Sequence, residues 1–233
     1  MTSSRSRALE IWRVAAVGVL ALVVVGGLLY PPLGLVAAVM MLVLLSVGLF
    51  RGRYWCGHLC PRGSFLDLLL RRISPGRPVP PFLRTMWLRL TVLALLMSAL
   101  AWSLANLPLE MSPDMPGGFY GLVGAIFVRL CLITTLGAIF LGLVSKERAW
   151  CGVCPMGTMQ NLVDRAASGQ GRGRIVTDPE VCRDCGVCEV ACPMDIPIRA
   201  HLEHGEIADP DCLRCAACAD VCPTTALSVA RKT

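Results

Sequence analysis

From Val14 to Phe50 the chain carries no charged residue, and nothing else constrains its fold as tightly. The stretch is nearly twice the ~20 residues one helix needs to cross the hydrocarbon of a bilayer. A backbone in that medium must satisfy its own hydrogen bonds, which leaves only helices or closed barrels. Pro31 and Pro32, after Tyr30, interrupt the run by removing backbone donors and clashing with the preceding turn. The pattern predicts a tight helical hairpin, Val14–Tyr30 and Leu33–Phe50. A signal peptide is the competing reading of the first span. It is disfavoured because no small-residue cleavage site precedes Pro31 and a second apolar span follows at once. Further spans are predicted at Met86–Ala105 and Phe119–Val144. With 55% hydrophobic and 16% charged residues among 233, the chain is composed like a membrane protein with a small soluble part.

A net charge of +6 suggests nucleic acid until the charges are located. They gather beside the spans: eight arginines lie between Arg51 and Arg89 against one acid, Asp67, with Arg5, Arg7 and Arg13 at the head and Lys146 and Arg148 after the fourth span. The loop Asn106–Gly118 carries Glu110 and Asp114 and no Lys or Arg. By the positive-inside rule both termini and the long basic loop face the cytoplasm, and no nucleic-acid partner is expected. Arg129 lies inside the fourth span, about ten residues from either end, where an ionisable group is costly and marks a functional site by default. It is the sequence's candidate for a quinone headgroup, a partner's acid or a water-filled cleft; a snorkelling side chain is the bland alternative. Cys131 reads as a small packed residue.

After the second span the chain reads Trp55-Cys56-Gly57-His58-Leu59-Cys60-Pro61-Arg62-Gly63-Ser64, and after the fourth Trp150-Cys151-Gly152-Val153-Cys154-Pro155-Met156-Gly157-Thr158. With one residue deleted the segments align, so the membrane half, residues 1–165, reads as two copies of a helical hairpin, a cysteine motif and a short helix. Ser64 and Thr158 are expected to cap the short helices, the first of them amphipathic and interfacial. If the hairpins pack side by side, Cys56, Cys60, Cys151 and Cys154 converge at one additional site. Four thiolates suit an iron–sulfur cluster, zinc or Cu(I); dithiol–disulfide cycling and simple packing are the other readings. A c-type haem is excluded because Pro61 and Pro155 stand where histidine would follow. His58, His201 and His204 lie outside the spans, so no bis-histidine haem crosses the bilayer. Neither a Walker loop nor a dinucleotide fingerprint is present.

Residues 166–173 are small, polar and glycine-rich, as in a flexible linker. Residues 174–233 then repeat one run, Cys-x-x-Cys-x-x-Cys-x-x-x-Cys-Pro, at Cys182, Cys185, Cys188, Cys192 and at Cys212, Cys215, Cys218, Cys222. This is the spacing of bacterial ferredoxins with two [4Fe–4S] clusters, where each fourth cysteine serves the other run's cluster. Cluster one is then expected on Cys182, Cys185, Cys188 and Cys222, and cluster two on Cys192, Cys212, Cys215 and Cys218. The fold class expected is a four-helix membrane protein of two duplicated hairpins with a C-terminal α+β ferredoxin domain.

On Arg53-Tyr54-Trp55-Cys56-Gly57, Cys60-Pro61, Trp150-Cys151-Gly152-Val153-Cys154-Pro155 and Cys192-Pro193-Met194-Asp195-Ile196-Pro197, the chain resembles the polyferredoxin-like membrane proteins that include NapH, NosR and CcoG. The resemblance spans roughly residues 45–230, with the second pair one residue shorter than the family's Cys-x-x-x-Cys-Pro. Without a large flavin domain or a sizeable extra C-terminal domain, its layout is nearest the NapH type. The resemblance implies a bacterial or archaeal cytoplasmic-membrane protein that passes electrons between the quinone pool or a cytoplasmic donor and a partner oxidoreductase, as in a quinol dehydrogenase. Two rival readings follow from the residues: a copper reductase or assembly factor working through Cys56, Cys60, Cys151 and Cys154, and a membrane anchor that docks a soluble oxidoreductase.

Overall fold

The computed structural model describes residues 2–51, 53–107, 117–166 and 175–229; the Glu110/Asp114 loop and the linker fall almost wholly outside them. Helix α1 (Thr2–Ala21) continues through a π-helical stretch, Leu22–Gly26, and a last turn at Gly27–Leu29. The chain breaks at Tyr30, and a 3₁₀ turn over Pro31–Gly34 leads into α2 (Leu35–Arg51). Short helices α3 (Tyr54–His58) and α4 (Pro61–Leu68) follow, then α5 (Met86–Ala105), α6 (Gly118–Val144), α7 (Trp150–Val153) and α8 (Pro155–Ala166). Four segments are long and apolar enough to cross a membrane: Glu10–Leu29, Pro31–Gly48, Met86–Ala105 and Gly118–Val144.

The proline break does more than reverse the chain. It brings the Pro31–Gly34 turn onto α6, where a Cβ on Gly34 would lie 2.0 Å from the Gly124 carbonyl oxygen and one on Gly124 2.1 Å from that of Pro31. Only glycine permits that approach, as small residues do wherever membrane helices pack closely. The short helices cross over: α4 packs on α1 and also on α6, while α8 packs on α5 and also on α2. Leu66 and Leu70 bury against Ala138 of α6.

The expectation that Ser64 and Thr158 cap the short helices needs correction. Both helices start earlier, at Pro61 and Pro155, and Ser64 and Thr158 are buried inside them. Proline is suited to a first helical position, because its fixed φ matches the helix and its missing N–H would have had no partner there.

The soluble part is held by one antiparallel strand pair, β1 (Ile175–Thr177) with β2 (Leu227–Val229), around a core that includes Ile175, Ile196, Ile198 and Leu227. Helices α9 (Val187–Ala191) and α10 (Ala217–Asp220) each begin after the second cysteine of their run and carry the third. The backbone repeats with the sequence: left-handed residues occur at Asp184 and Arg214, at Gly186 and Ala216, and at Asp195 and Thr225, equivalent positions in the two runs. Five of these six are not glycine, and a non-glycine residue in that region costs roughly 1–2 kcal/mol. Such strain persists where the local backbone has a task, here the turning of N–H groups inward.

Candidate metal centres

The soluble module contains two cavities. One is lined by Cys182, Cys185, Cys188 and Cys222, the other by Cys192, Cys212, Cys215 and Cys218. Backbone N–H groups of Asp184 and Ile196 donate to the sulfurs of Cys182 and Cys192, each at 3.5 Å. Burial pushes the Cys212 thiol up to about 11 and Cys218 to about 12. Thiolates in such a place require a bound cation. Four sulfurs around a cavity, with amide N–H groups turned toward them, is a donor set that fits a [4Fe–4S] cluster.

The module docks on the membrane half through its second cysteine run. Asp211, next to Cys212, accepts from both Arg89 nitrogens at 2.7 and 2.5 Å and from Arg53 at 2.7 Å, with Asn161 at 3.4 Å. Arg53 is 2% exposed and Arg89 4%. Burial opposes ionisation of Asp211, but Arg89 and Arg53 outweigh it and hold the carboxyl below its ordinary 3.8. Asp195 takes Lys146 at 2.7 Å, and Arg84 donates to the Met194 and Asp195 carbonyls. Between these pairs Gly57 meets the chain between Cys212 and Cys215: a Cβ there would lie 2.4 Å from the Leu213 carbonyl oxygen. Cys56 and Cys151 join the module's apolar core directly.

Cys56, Cys60, Cys151 and Cys154 all line one cavity of about 210 Å³ that runs from the docked module up between the spans, walled by Leu20, Val23, Met40, Leu44, Phe127 and Leu130. Two arginines brace the motifs crosswise. Arg53, two residues before Trp55-Cys56, donates to the Cys151 carbonyl at 2.6 Å; Arg148, equally placed before Trp150-Cys151, donates to the Cys56 carbonyl at 2.6 Å. Arg148 also grips Asp67 with two 2.7 Å bonds. Gly63 and Gly157 leave room for them, since a Cβ at either would fall within 2.8 Å of the opposing guanidinium. Cys56 Sγ donates to Gln160 Oε1 at 2.9 Å, and Gln160 Nε2 is held by the Leu44 carbonyl. Burial raises Cys56 and Cys60 above the ordinary thiol value and pushes Cys151 up to about 11.

Arg129 is exposed on the outer side of α6 and does not line the cavity. Arg62 and Arg53 line it instead; Arg62 Nε and Nη2 donate to Thr135 and Thr134 at 3.2 and 2.8 Å. Cys131 lines the same cavity, with its sulfur 3.6 Å from Arg62. His58 instead stacks on Tyr54, away from the cavity. The sequence does not single out Arg53, Arg62, Arg148 or Asp211 as site residues, although Arg53 and Arg62 stand in its cysteine motif. The signal for Arg53 and Arg148 was present, because Arg-x-Trp-Cys-Gly occurs in both copies.

Spans, cavities and cysteine sets together define a membrane-embedded iron–sulfur protein of ferredoxin type. Comparison agrees: a family profile described as 4Fe-4S binding domain matches twice, at residues 33–80 and 127–173, and a 4Fe-4S dicluster domain matches 174–223. Protein RdxA of Cereibacter sphaeroides is 29% identical over 79% of this chain and 44% of its own length. The putative electron transport protein YccM of Escherichia coli is 25% identical (83% and 55%), and the nitrogen fixation protein FixG of Rhizobium meliloti 26% (78% and 40%). The chain thus spans about half the length of these relatives or less. No solved structure matches it. The chain belongs to the polyferredoxin-like 4Fe–4S membrane proteins.

Proposed function

We propose that this protein is a membrane-bound electron carrier that links a soluble redox partner to the quinone pool, acting as an electron-transfer subunit of an oxidoreductase. The observation that carries this reading is the serial placement of cysteine sets. Cys182, Cys185, Cys188 and Cys222 lie on the outer side of the soluble module; Cys192, Cys212, Cys215 and Cys218 lie beside its docking face; Cys56, Cys60, Cys151 and Cys154 lie beneath, at the mouth of the membrane cavity. A [4Fe–4S] cluster on each ferredoxin set would store and release one electron at a time. The chain's own part is to fix these sets in line: Asp211 and Gly57 hold the module against the membrane half, and burial keeps water out of the junction. The apolar walls of the cavity suit a lipophilic carrier, with Arg62 at its polar end as hydrogen-bond donor.

In this reading the membrane half, residues 1–165, is a duplicated hairpin pair. The same profile matching twice and the crossed packing of α4 and α8 support that. In the same reading the ferredoxin domain follows a linker at 166–173, and the arginine-rich loop supports a cytoplasmic side for it and for both termini. The test is reduction of the clusters in membranes holding the full chain. A reduced quinol should reduce them, or an oxidised quinone reoxidise them; clusters that respond to dithionite but to neither quinone form would remove the quinone from the function.

A second reading, reduction of a soft metal such as copper at the membrane surface, draws on Met40, Met41, Met97 and Met156, which line the cavity together with the cysteines. It predicts that Met40→Leu and Met97→Leu lower metal uptake by the membranes while quinol-driven cluster reduction is unchanged.

A further inference from the structure

The cavity mouth is short of negative charge. Of the arginines around it, Arg53, Arg89 and Arg148 are buried and bond Asp211 or Asp67, whereas Arg62, half-buried, lines the cavity itself. Arg62's bonded partners among the described residues are two hydroxyls and Cys131, none of them a carboxylate. Donors are in surplus as well: Arg53 Nε and Trp150 Nε1 are buried and lack an acceptor among the described residues, and both side chains line the cavity. Burying such groups unpaired costs several kcal/mol for a charge and roughly 1–3 kcal/mol for a neutral donor. An occupant with negative charge and acceptor atoms removes that penalty.

Both cysteine pairs lie within segments that match a profile described as 4Fe-4S binding domain. Neither profile-matched membrane segment has four cysteines: residues 33–80 contain Cys56 and Cys60, and residues 127–173 contain Cys131, Cys151 and Cys154.

We infer that Cys56, Cys60, Cys151 and Cys154 jointly hold a third [4Fe–4S] cluster, two ligands from each membrane repeat, with Arg53, Arg62 and Arg148 as its positioning and charge-balancing residues. Four thiolates on an oxidised cubane leave about two negative charges and expose sulfides as acceptors, which meets both shortages. The inference rests on the reading of the protein as an electron carrier and names its innermost station.

The experiment is iron, zinc and acid-labile sulfide per chain on the full-length protein, purified without oxygen in detergent, with EPR of the reduced state. About twelve irons and twelve sulfides are expected, against about eight for two cubanes. Cys56→Ser and Cys154→Ser, one from each repeat, should each lose about a third of the iron and leave the ferredoxin signals intact. Arg62→Gln should keep the iron but shift the third cluster's potential negative, since it removes a nearby positive charge. A wild-type count of about eight with normal ferredoxin signals would overturn this inference alone. So would one zinc per chain, or Cys→Ser variants with undiminished iron. Fewer irons with no ferredoxin signals would instead sink the electron-carrier reading. The wild-type count decides even if the serine variants do not fold.

Discussion

The two ferredoxin sets and the membrane-surface set each gather four cysteines, but by different means. In the soluble module three ligands of each set lie within one short run, and left-handed turns at Asp184, Arg214 and Ala216 present the sulfurs and N–H groups locally. At the membrane surface the pairs come from the two repeats of the membrane half, and no local turn can join them. Long-range assembly there relies on the crossed guanidiniums, Arg53 to the Cys151 carbonyl and Arg148 to the Cys56 carbonyl. Ligands close in sequence need a backbone shape, whereas distant ligands need a brace. The extra loop-closure cost of distance is modest, growing only with the logarithm of loop length. What distance demands is specificity, and each guanidinium provides it by bonding a carboxylate and the opposite motif's carbonyl at once, Arg53 with Asp211 and Arg148 with Asp67.

The comparison is broken most severely at the junction between the regions. Asp211→Ala leaves Arg53 and Arg89 buried without their carboxylate and should weaken docking by about 3–5 kcal/mol. Hydrogen exchange should then rise at 53–57 and 211–213 while the ferredoxin EPR signals persist. Gly57→Ala acts at the same face by sterics, driving a methyl into the Leu213 carbonyl, and should cost about 1–3 kcal/mol by the same readout. Asp195→Ala removes a partly exposed pair with Lys146 and should cost about 1 kcal/mol or less.

The pH dependence of that last pair has a definite sign. Burial tends to raise the Asp195 carboxyl, but Lys146 outweighs it and holds it below 3.8. Its contribution is therefore complete above the ordinary carboxylate value and is lost only as pH falls through the depressed one. Docking measured by hydrogen exchange should be flat from neutrality to about pH 5. The smallest effect is expected at Arg199, whose links to Glu189 and Asp184 lie on the outer surface; Arg199→Ala should leave thermal stability unchanged within error.

The difference between the regions also explains what could be read from the chain. The ferredoxin runs and four spans are local signals, written as spacing and as uninterrupted apolar stretches; Cys222 lines a cavity with the first run's leading cysteines and Cys192 one with the second's. Ser64 and Thr158 do not act as caps because Pro61 and Pro155, three residues earlier, already start the helices. Asp211 could not be singled out, since its role depends on Arg53 and Arg89 arriving from two other elements. Arg129 stands out by its depth in a span, whereas Arg62, in a loop by sequence, is a guanidinium that folding turns into the cavity. Depth along a helix is legible; the direction a side chain faces is set by packing.

The central claim is that the soluble clusters exchange electrons with the membrane cavity only across the docked face. The most direct measurement compares quinol-driven reduction of the ferredoxin clusters in membranes carrying the wild-type chain and Asp211→Ala, with dithionite as the control for intact clusters. The account predicts reduction by quinol in the wild type and its loss in the variant, with full reduction of both by dithionite. Equal quinol-driven rates in the two proteins would contradict it.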